Sequence, residues 1–377
     1  MLDGCAFDVA QVGSLRKTSA TRKTRRLMES GSKSSKIQTM LEARHPVAIF
    51  SMGLGDHLMV LPALRALAGL FDGRLSLICK PGGRNDFFRQ LPLNKVHEIH
   101  MQYVFEGKSV RYSEDGSKLE PTRIRFDAEW LANEVSECDL FVSFNSWHSS
   151  SVDDLIERLA PANTIGYFPQ FGIRLPINGH GFDAAFAIPQ YLNPALKIED
   201  VAGAPEVLPD IHRWAREWRA GLPSSIRVLA VHNESKPRKL WPTDRLVNVL
   251  DQFLGRHPNV IALVLGLSDV GLTKGRYGHR IIPCFGKPLH CAISLIGESD
   301  LFLGIDSSML HAADLFRVPG VGLFGPSDPS EYGFRFGPHR HIRGADNRMD
   351  TITEDEVLIA LESLLAEHAT ADKGASA

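Results

Sequence analysis

Short apolar runs alternate with segments of helical periodicity along most of the chain, and this alternation sets the tightest limit on its fold. The first unit has strand-like runs at Val47–Ser51 and Leu75–Cys79, with a helical pattern from about Asp56 to Leu70 between them. Further strand-like runs lie at residues 96–101, 139–144, 164–167, 228–232, 260–265, 280–283, 301–305 and 318–324. Strands that alternate with helices indicate a parallel sheet covered by helices. We therefore predict an α/β fold.

The alternation is interrupted once at length, which predicts two domains. Residues 168–206 are rich in Pro, Gly and Asn and show no regular pattern, and a chain of 377 residues is long enough for two domains. The predicted parts are a basic extension (1–42), an N-terminal domain (43–205), a C-terminal domain (206–350), and a C-terminal helix with a tail (351–377). A polar segment, 106–124, is predicted as a loop or a β-excursion. Two successive parallel sheets predict a ligand cleft between them.

Charge and cysteine content limit the partners that we expect. The chain has 42 Lys and Arg against 44 Asp and Glu, which argues against nucleic acid as a partner. Residues 1–40 hold eight basic and three acidic residues, either as a solvated tail or as a peripheral contact with the inner membrane. The five cysteines form no Cys-x-x-Cys pair, and no apolar run approaches a membrane span. We expect a cytoplasmic protein, with possible contact at the membrane face.

The sequence SMGLGDH directly follows the first predicted strand. Gly53 and Gly55 permit a tight turn, and Asp56 stands at the start of a helix. A dinucleotide-binding motif would need a third glycine where Leu58 stands and an acidic residue where Lys80 ends the second strand, so we exclude it. Spacing alone leaves two roles open for Asp56, as a general base or as a helix cap.

A basic loop follows the first strand of the second unit. Lys236, Arg238 and Lys239 lie within four residues of one another and precede Trp241-Pro242. Three cations at the end of a parallel strand suit a diphosphate, although a solvated charge run has the same composition.

Another polar group stands at the end of the run Leu301–Ile305. Asp306, Ser307 and Ser308 are followed by a predicted helix, and His311 comes one helical turn after Ser307. Free backbone N–H groups at a helix start bind anions, so this turn is a candidate phosphate site. His311 faces the same ligand or is a buried core histidine, and spacing does not decide between these.

Two further patterns have weaker implications. Gly325 and Pro326 follow the last strand-like run and are predicted to shape the floor of the cleft. No Asp-x-Asp occurs, and the pairs His97/His100 and His339/His341 lack suitable partners, so we predict no metal site. A diphosphate would then be neutralised by Lys, Arg and helix termini.

Taken together, these blocks resemble glycosyltransferase family 9, the bacterial ADP-heptose heptosyltransferase family. The resemblance consists of four blocks in order over residues 47–330: Gly55-Asp56 with LPALRAL (61–67), KLWP (239–242), DLFLGIDS (300–307) with His311-Ala-Ala, and PGVGLFGPSDP (319–329). It implies the GT-B architecture, in which two Rossmann-like parallel-sheet domains face a central cleft. The N-terminal domain would bind the acceptor and the C-terminal domain the nucleotide sugar.

The same resemblance implies roles for individual residues. Asp56 would be the general base, Lys239 would stabilise the departing diphosphate, with Lys236 and Arg238 as rival partners, and Asp306, Ser307, Ser308 and His311 would surround the donor. It implies a metal-independent inverting transferase without a cofactor, whose donor is ADP-heptose or another nucleotide-diphosphate sugar. The acceptor would be a glycan or glycolipid such as lipopolysaccharide core.

Two departures from the family keep other functions open. Ser308 stands where the family usually has glycine, and residues 80–200 show no recognisable match to it. The alternatives are a GT-B transferase of another sugar onto a different glycan or natural product, and a homologue that binds nucleotide sugar without turnover.

Overall fold

The computed structural model of the protein describes residues 34–82, 87–88, 90–103, 124–268 and 271–375. The described residues 34–44 belong to one unit and those from 45 onward to another. In the first unit, residues 34–41 are helical (α1), where the apolar residues Ile37, Met40 and Leu41 have helical spacing. The sequence analysis predicted no helix there. Most of the predicted basic extension lies outside the described residues.

The first large sheet confirms the predicted parallel arrangement. It has six strands in the order β3-β2-β1-β6-β7-β8, and every neighbouring pair is parallel. Its strands are β1 (Pro46–Phe50), β2 (Ser76–Cys79), β3 (Val96–Glu98), β6 (Leu140–Ser143), β7 (Asn163–Gly166) and β8 (Ile173–Arg174). All residues of β1, β2 and β6 are buried, as expected for a sheet with helices on both faces.

A short antiparallel pair departs from this pattern. It consists of β4 (Gln102–Tyr103) and β5 (Ile124–Arg125). The predicted polar excursion lies between these strands, and most of it falls outside the described residues.

The second large sheet repeats the first. It also has six parallel strands, in the order β11-β10-β9-β12-β13-β14. Its strands are β9 (Arg227–His232), β10 (Val260–Gly266), β11 (Ile281–Phe285), β12 (Leu301–Ile305), β13 (Gly320–Phe324) and β14 (His339–Arg343). In each sheet, successive strands are added first on one side and then on the other. The change of side falls between β1 and β6 in the first sheet and between β9 and β12 in the second. The carboxyl ends at these points are the usual ligand positions in α/β sheets.

Helices connect the strands of both sheets. They are α2 (Leu54–Phe71), α3 (Ala128–Val135), α4 (Ser150–Leu159), α5 (Gly181–Leu192), α6 (Pro209–Ala220), α7 (Thr243–Arg256), α8 (Leu289–Gly297), α9 (Ser308–Leu315), α10 (Pro329–Tyr332) and α11 (Glu354–Ala375). The helix α2 begins and ends within two residues of the predicted helical pattern, Asp56 to Leu70. Thr353 forms the N-terminal cap of α11, since its Oγ accepts from the backbone N–H of Glu356 at 3.3 Å.

The helix α5 corrects the sequence analysis, which predicted no regular structure over residues 168–206. Gly181 opens the helix and Pro189 lies inside it, and both residues suggest a loop when they are read locally. The buried residues Phe182, Ala185 and Phe186 nevertheless have the spacing of one helix face. Burial of that face outweighs the weak local propensity.

The helix α2 carries the most apolar helical sequence of the first domain. It has 18 residues with mean hydropathy 1.3, enough by length and composition to cross a membrane, and 67% of it is buried inside the protein. The sequence analysis did not single it out because Asp56 and Arg65 interrupt the apolar run. Its burial identifies it as a core helix.

The C-terminal helix α11 belongs to the core of the second sheet. Val357, Leu361 and Leu364 are almost fully buried and share one apolar cluster with strand residues such as Leu303 and Val321. The helix that opens the predicted segment 351–377 therefore packs in the core of the second sheet.

We predict that Asp314 on α9 is a main determinant of stability. Its carboxylate is fully buried and accepts backbone N–H bonds from Arg335, Phe336 and Gly337, each at 2.8 Å. Asp314→Ala would leave these donors unsatisfied and should lower the free energy of unfolding by about 3 kcal/mol or more in urea titrations.

The control for this prediction is Asp355→Ala, which removes an exposed carboxylate and should change stability by about 0.5 kcal/mol or less. Asp314→Asn keeps one acceptor oxygen and should fall between the two. Equal stability of the two alanine variants would contradict the assigned role of Asp314.

Candidate active site

The turn after β1 is held by side chains from three directions. The Oδ1 of Asn145, which follows β6, accepts the backbone N–H of Ser51 at 2.8 Å. The Nζ of Lys80, which follows β2, donates to the carbonyl oxygen of Met52 at 3.1 Å. Because β2 and β6 flank β1, both side chains reach the turn from neighbouring strand ends. The turn is thereby fixed at the carboxyl edge of the first sheet.

Asp56 and His57 complete this turn from within α2. The carboxylate of Asp56 accepts the backbone N–H of Gly53, the N-cap residue, at 2.9 Å. The Nδ1–H of His57 donates to the carbonyl oxygen of Gly53 at 2.7 Å, and its ring stacks on Phe88 at 5.5 Å. Asp56 therefore caps the helix through one oxygen. The sequence left open whether Asp56 caps the helix. It does, and the cap uses only one of its two carboxylate oxygens.

The loop after β9 is anchored by a buried amide. The side chain of Asn233 donates to the carbonyl oxygen of Trp241 at 2.8 Å and accepts its backbone N–H at 3.1 Å. Trp241 is 1% exposed. This clamp closes the basic loop and fixes the direction in which Lys239 leaves it.

Of the three predicted cations, only Lys239 is directed into the site in the described structure. Its Nζ forms an ion pair with the carboxylate of Asp306, at the end of β12. Lys236 and Arg238 lie exposed on the same loop. The sequence ranked the three as rivals, and the geometry distinguishes Lys239 from the other two.

The start of α9 presents backbone donors at the end of β12. Ser307 is the N-cap and makes no side-chain capping bond, so the first N–H groups of the helix have no partner from that side chain. The Oγ of Ser307 is buried without a hydrogen-bond partner. These groups, with the half-buried Ser308, lie where the sequence analysis placed a candidate phosphate site, and a helix start of this kind can bind an anion.

The starts of α2 and α9 meet in this site. A Cβ placed on Gly55 would lie 3.3 Å from Cδ2 of His311 and 3.7 Å from the backbone nitrogen of Ser308. Gly55 thus provides the close approach between the two sheets' carboxyl edges. The meeting brings the capped carboxylate of Asp56 and the Lys239–Asp306 pair into one charged cluster.

Burial is the main cause that raises the pKa of Asp56 above its ordinary value, and the negative charge of Asp306 adds to it. The N–H of Gly53 and the ammonium groups of Lys239 and Lys80 act in the opposite direction. A carboxylate with a raised pKa is a stronger proton acceptor than one in water. This is the property that a general base requires.

His311 is buried and neutral. Burial lowers the pKa of its imidazole to about 4, against a weaker opposite effect of Asp306, whose carboxylate lies 4.0 Å from Nε2. The ring packs edge-on against Phe182 at a centroid distance of 6.3 Å. His311 therefore combines both predicted situations, since it is a core histidine whose edge borders the site.

The remaining predictions lie further from the cluster. Gly325 is buried where a Cβ would lie 2.8 Å from Cγ of Met349, and Pro326 is exposed. In the part of the chain that the structure describes, no group of three or more His, Cys, Asp and Glu side chains is arranged to hold a metal ion. Metal independence stays a prediction.

Sequence reasoning missed the roles of Lys80 and Asn145 in this site. Lys80 was considered only as a missing acidic residue, and Asn145 was not considered. Both stand one or two positions after a buried strand, and this signal applies to any polar residue at the carboxyl edge of a parallel sheet.

We predict that His311 makes stability depend on pH. Between its ordinary pKa of 6.5 and the lowered value of about 4, the unfolded chain binds a proton that the folded chain does not. Stability of the wild type is therefore lost as the pH falls through this window. The difference in unfolding free energy between the wild type and His311→Gln should shrink by about 2 kcal/mol between pH 7 and pH 5.

Urea titrations at several pH values measure this difference. His279→Gln, which changes an exposed histidine, should show an almost constant difference over the same range. A constant difference for His311→Gln as well would show that His311 is not held neutral.

Comparison with known proteins gives a result at the level of structure. No protein-family sequence model and no curated protein sequence matches the chain. A glycosyl transferase of family 9 from Veillonella parvula is similar, with a TM-score of 0.65 and 18% identity over 86% of this chain and 97% of that one.

Two proteins from E. coli are similar over nearly the same share of this chain. The ADP-heptose lipopolysaccharide heptosyltransferase II has a TM-score of 0.60 and 14% identity over 86% of this chain and 99% of its own. The heptosyltransferase WaaC, solved with ADP, has a TM-score of 0.58 and 13% identity over 85% and 99%. The chain therefore has the GT-B fold of glycosyltransferase family 9, as the sequence blocks implied.

Proposed function

We propose that this chain is an inverting glycosyltransferase that moves a sugar from a nucleotide-diphosphate donor to a hydroxyl group of a glycan acceptor. The observation that carries the proposal is the meeting of α2 and α9, which brings Asp56 of the first sheet to the anion-binding start of α9. Direct transfer between two bound substrates needs a general base beside the acceptor and a phosphate site beside the donor. In this proposal the two lie on opposite halves of the chain.

The proposed reaction is a single displacement. The carboxylate of Asp56 takes the proton of the acceptor hydroxyl, and the oxygen attacks the anomeric carbon of the donor sugar. The bond from that carbon to the diphosphate oxygen breaks, and the diphosphate leaves with the electron pair. Lys239 and the free N–H groups at the start of α9 stabilise the charge on the diphosphate.

The proposal includes the absence of a metal requirement and of a cofactor. The ammonium of Lys239 and the partial positive charge of the start of α9 are available where a divalent ion would otherwise neutralise the diphosphate. To bind the diphosphate, Lys239 would have to break its ion pair with Asp306.

We further propose heptose as the sugar, ADP as the nucleotide and a glycolipid such as lipopolysaccharide core as the acceptor. Support comes from the structures with this fold, one of which is an ADP-heptose lipopolysaccharide heptosyltransferase and another a heptosyltransferase solved with ADP. A cytoplasmic location, with contact at the inner membrane, is part of the proposal. The described cysteines Cys79, Cys138, Cys284 and Cys291 are free thiols, as a reducing compartment permits.

Asp56→Asn is the primary test of the proposed function. We expect the variant to bind ADP-heptose like the wild type and to transfer sugar at least about 100-fold more slowly, since the amide cannot accept the proton. Asparagine retains an oxygen that can accept the N–H of Gly53, so the cap is preserved. Turnover is measured as ADP release and as product in an acceptor extract.

The same assay distinguishes the alternatives. Turnover of Asp56→Asn at the wild-type rate would show that Asp56 is not the general base. Transfer from a different nucleotide sugar would indicate another GT-B transferase. Donor binding without transfer to any acceptor would indicate a homologue that only binds nucleotide sugar.

Lys239→Met tests the phosphate site. We expect the dissociation constant for ADP to rise about tenfold or more, because the methionine removes one charge-assisted bond to the diphosphate. Lys236→Met and Arg238→Met are matched controls on the same exposed loop and should change the affinity much less. A larger rise of the dissociation constant in either control would show that Lys236 or Arg238, and not Lys239, contacts the diphosphate.

A further inference from the structure

Lys80 is a cation of the site that the proposed reaction does not use. It follows β2, whose neighbour β1 ends in the turn that precedes Asp56. It stands where a dinucleotide-binding protein would have an acidic residue, so its charge is opposite to the one that such a site requires.

The contacts of Lys80 connect it to Asp56 through two residues of the turn. Its Nζ donates to the carbonyl oxygen of Met52 at 3.1 Å, and the next residue, Gly53, donates its N–H to Asp56 at 2.9 Å. Met52 is 3% exposed, so the ammonium bonds to a buried residue of the turn, whose next residue, Gly53, is exposed. Displacement of this lysine would release the carbonyl beside the N–H that orients the carboxylate.

The charges around Asp56 come from three elements. Lys80 follows β2, Lys239 lies in the loop after β9, and Asp306 follows β12. Lys239 is paired with Asp306, and in the proposed reaction it turns to the diphosphate. A bound diphosphate adds negative charge at the same place, so the ionised carboxylate needs a second cation that remains beside it.

We propose that Lys80 is a positioning residue for Asp56, which holds the turn in place and keeps the carboxylate ionised while Lys239 engages the diphosphate. This inference depends on the proposed function. It adds a cation from the half of the chain that would bind the acceptor, and this lysine lies outside the four sequence blocks of the family.

The protonation of Lys80 gives the inference a measurable signature. Burial lowers the pKa of Lys80 to about 8, against the opposite effect of Asp56. The ammonium is therefore charged below this pH and loses its proton above it. Transfer should decline on the alkaline side as Lys80 is neutralised, and on the acidic side as Asp56 is protonated.

The test compares kcat from pH 5 to pH 10 for the wild type, Lys80→Met and Lys80→Arg. In Lys80→Met we expect the acidic limb to move up by about one pH unit, kcat at neutral pH to fall about tenfold, and the donor KM to stay within about twofold. Lys80→Arg should restore the acidic limb and move the alkaline limb to higher pH, because arginine stays charged. Lys95→Met, whose lysine is 54% exposed and pairs with Glu134, is the control for loss of a cation elsewhere.

An unchanged pH profile in Lys80→Met would overturn the inference, and so would a loss of activity that Lys80→Arg does not restore. Absence of transfer by the wild type would instead contradict the proposed function. In that case a double-mutant cycle of unfolding free energy with Asp56→Asn and Lys80→Met decides the inference. A coupling between the two changes supports it, and additive changes overturn it.

Discussion

The close approach of Gly55 to the start of α9 is the contact on which the site depends. A Cβ at this position would lie 3.3 Å from the ring of His311, which is 2% exposed and is held by the edge-on contact with Phe182. The ring therefore has little freedom to move away from a larger residue. Because position 55 has no side chain, two helix starts from different sheets share one space, and Asp56 lies beside an anion site that its own sheet does not contain.

This meeting also determines the electrostatics. Two carboxylates, Asp56 and Asp306, lie in a partly dehydrated cluster with Lys239 and Lys80. The two ammonium groups balance the two carboxylates, which explains how two acidic groups are tolerated near each other. In the proposed reaction a diphosphate would compete with Asp306 for Lys239, while the N–H of Gly53 would continue to hold Asp56. The groups that stabilise this cluster would then also serve the proposed reaction.

The sequence analysis could propose candidate site residues because polar residues near strand ends are a local signal. Asp56, Lys239 and Asp306 follow the strands β1, β9 and β12, and parallel strands bring such positions to the carboxyl edge of their sheet. Spacing alone did not rank Lys239 above its two neighbours, and the family resemblance that favoured Lys239 kept both as rivals. The placement of the three side chains depends on the Asn233–Trp241 clamp, which closes the loop only when the chain is folded. The ion pair with Asp306 joins residues 67 positions apart and has no local signature.

The helix α5 shows a different limit of local reasoning. Its glycine and proline indicate a loop, and its apolar face becomes informative only once a surface is available to cover it. The short strand β8, with two residues, is below the length at which alternation is recognisable. Both elements lie in residues 168–206, so the segment in which the sequence shows no regular pattern contains a helix and an edge strand of the first sheet.

The segment that follows α5 is bonded to side chains from both halves of the chain. Arg65, on the same helix as Asp56, donates to the carbonyl oxygens of Val201 and Gly203 at 3.1 and 2.8 Å. Arg317, two residues after the end of α9, donates to the carbonyl oxygen of Ala202 at 3.2 Å. One set of bonds comes from α2 and the other from the turn after α9, and these are the two helices whose starts meet at Gly55. Residues 201–203 are therefore held from both halves of the chain by residues that adjoin the same two helices.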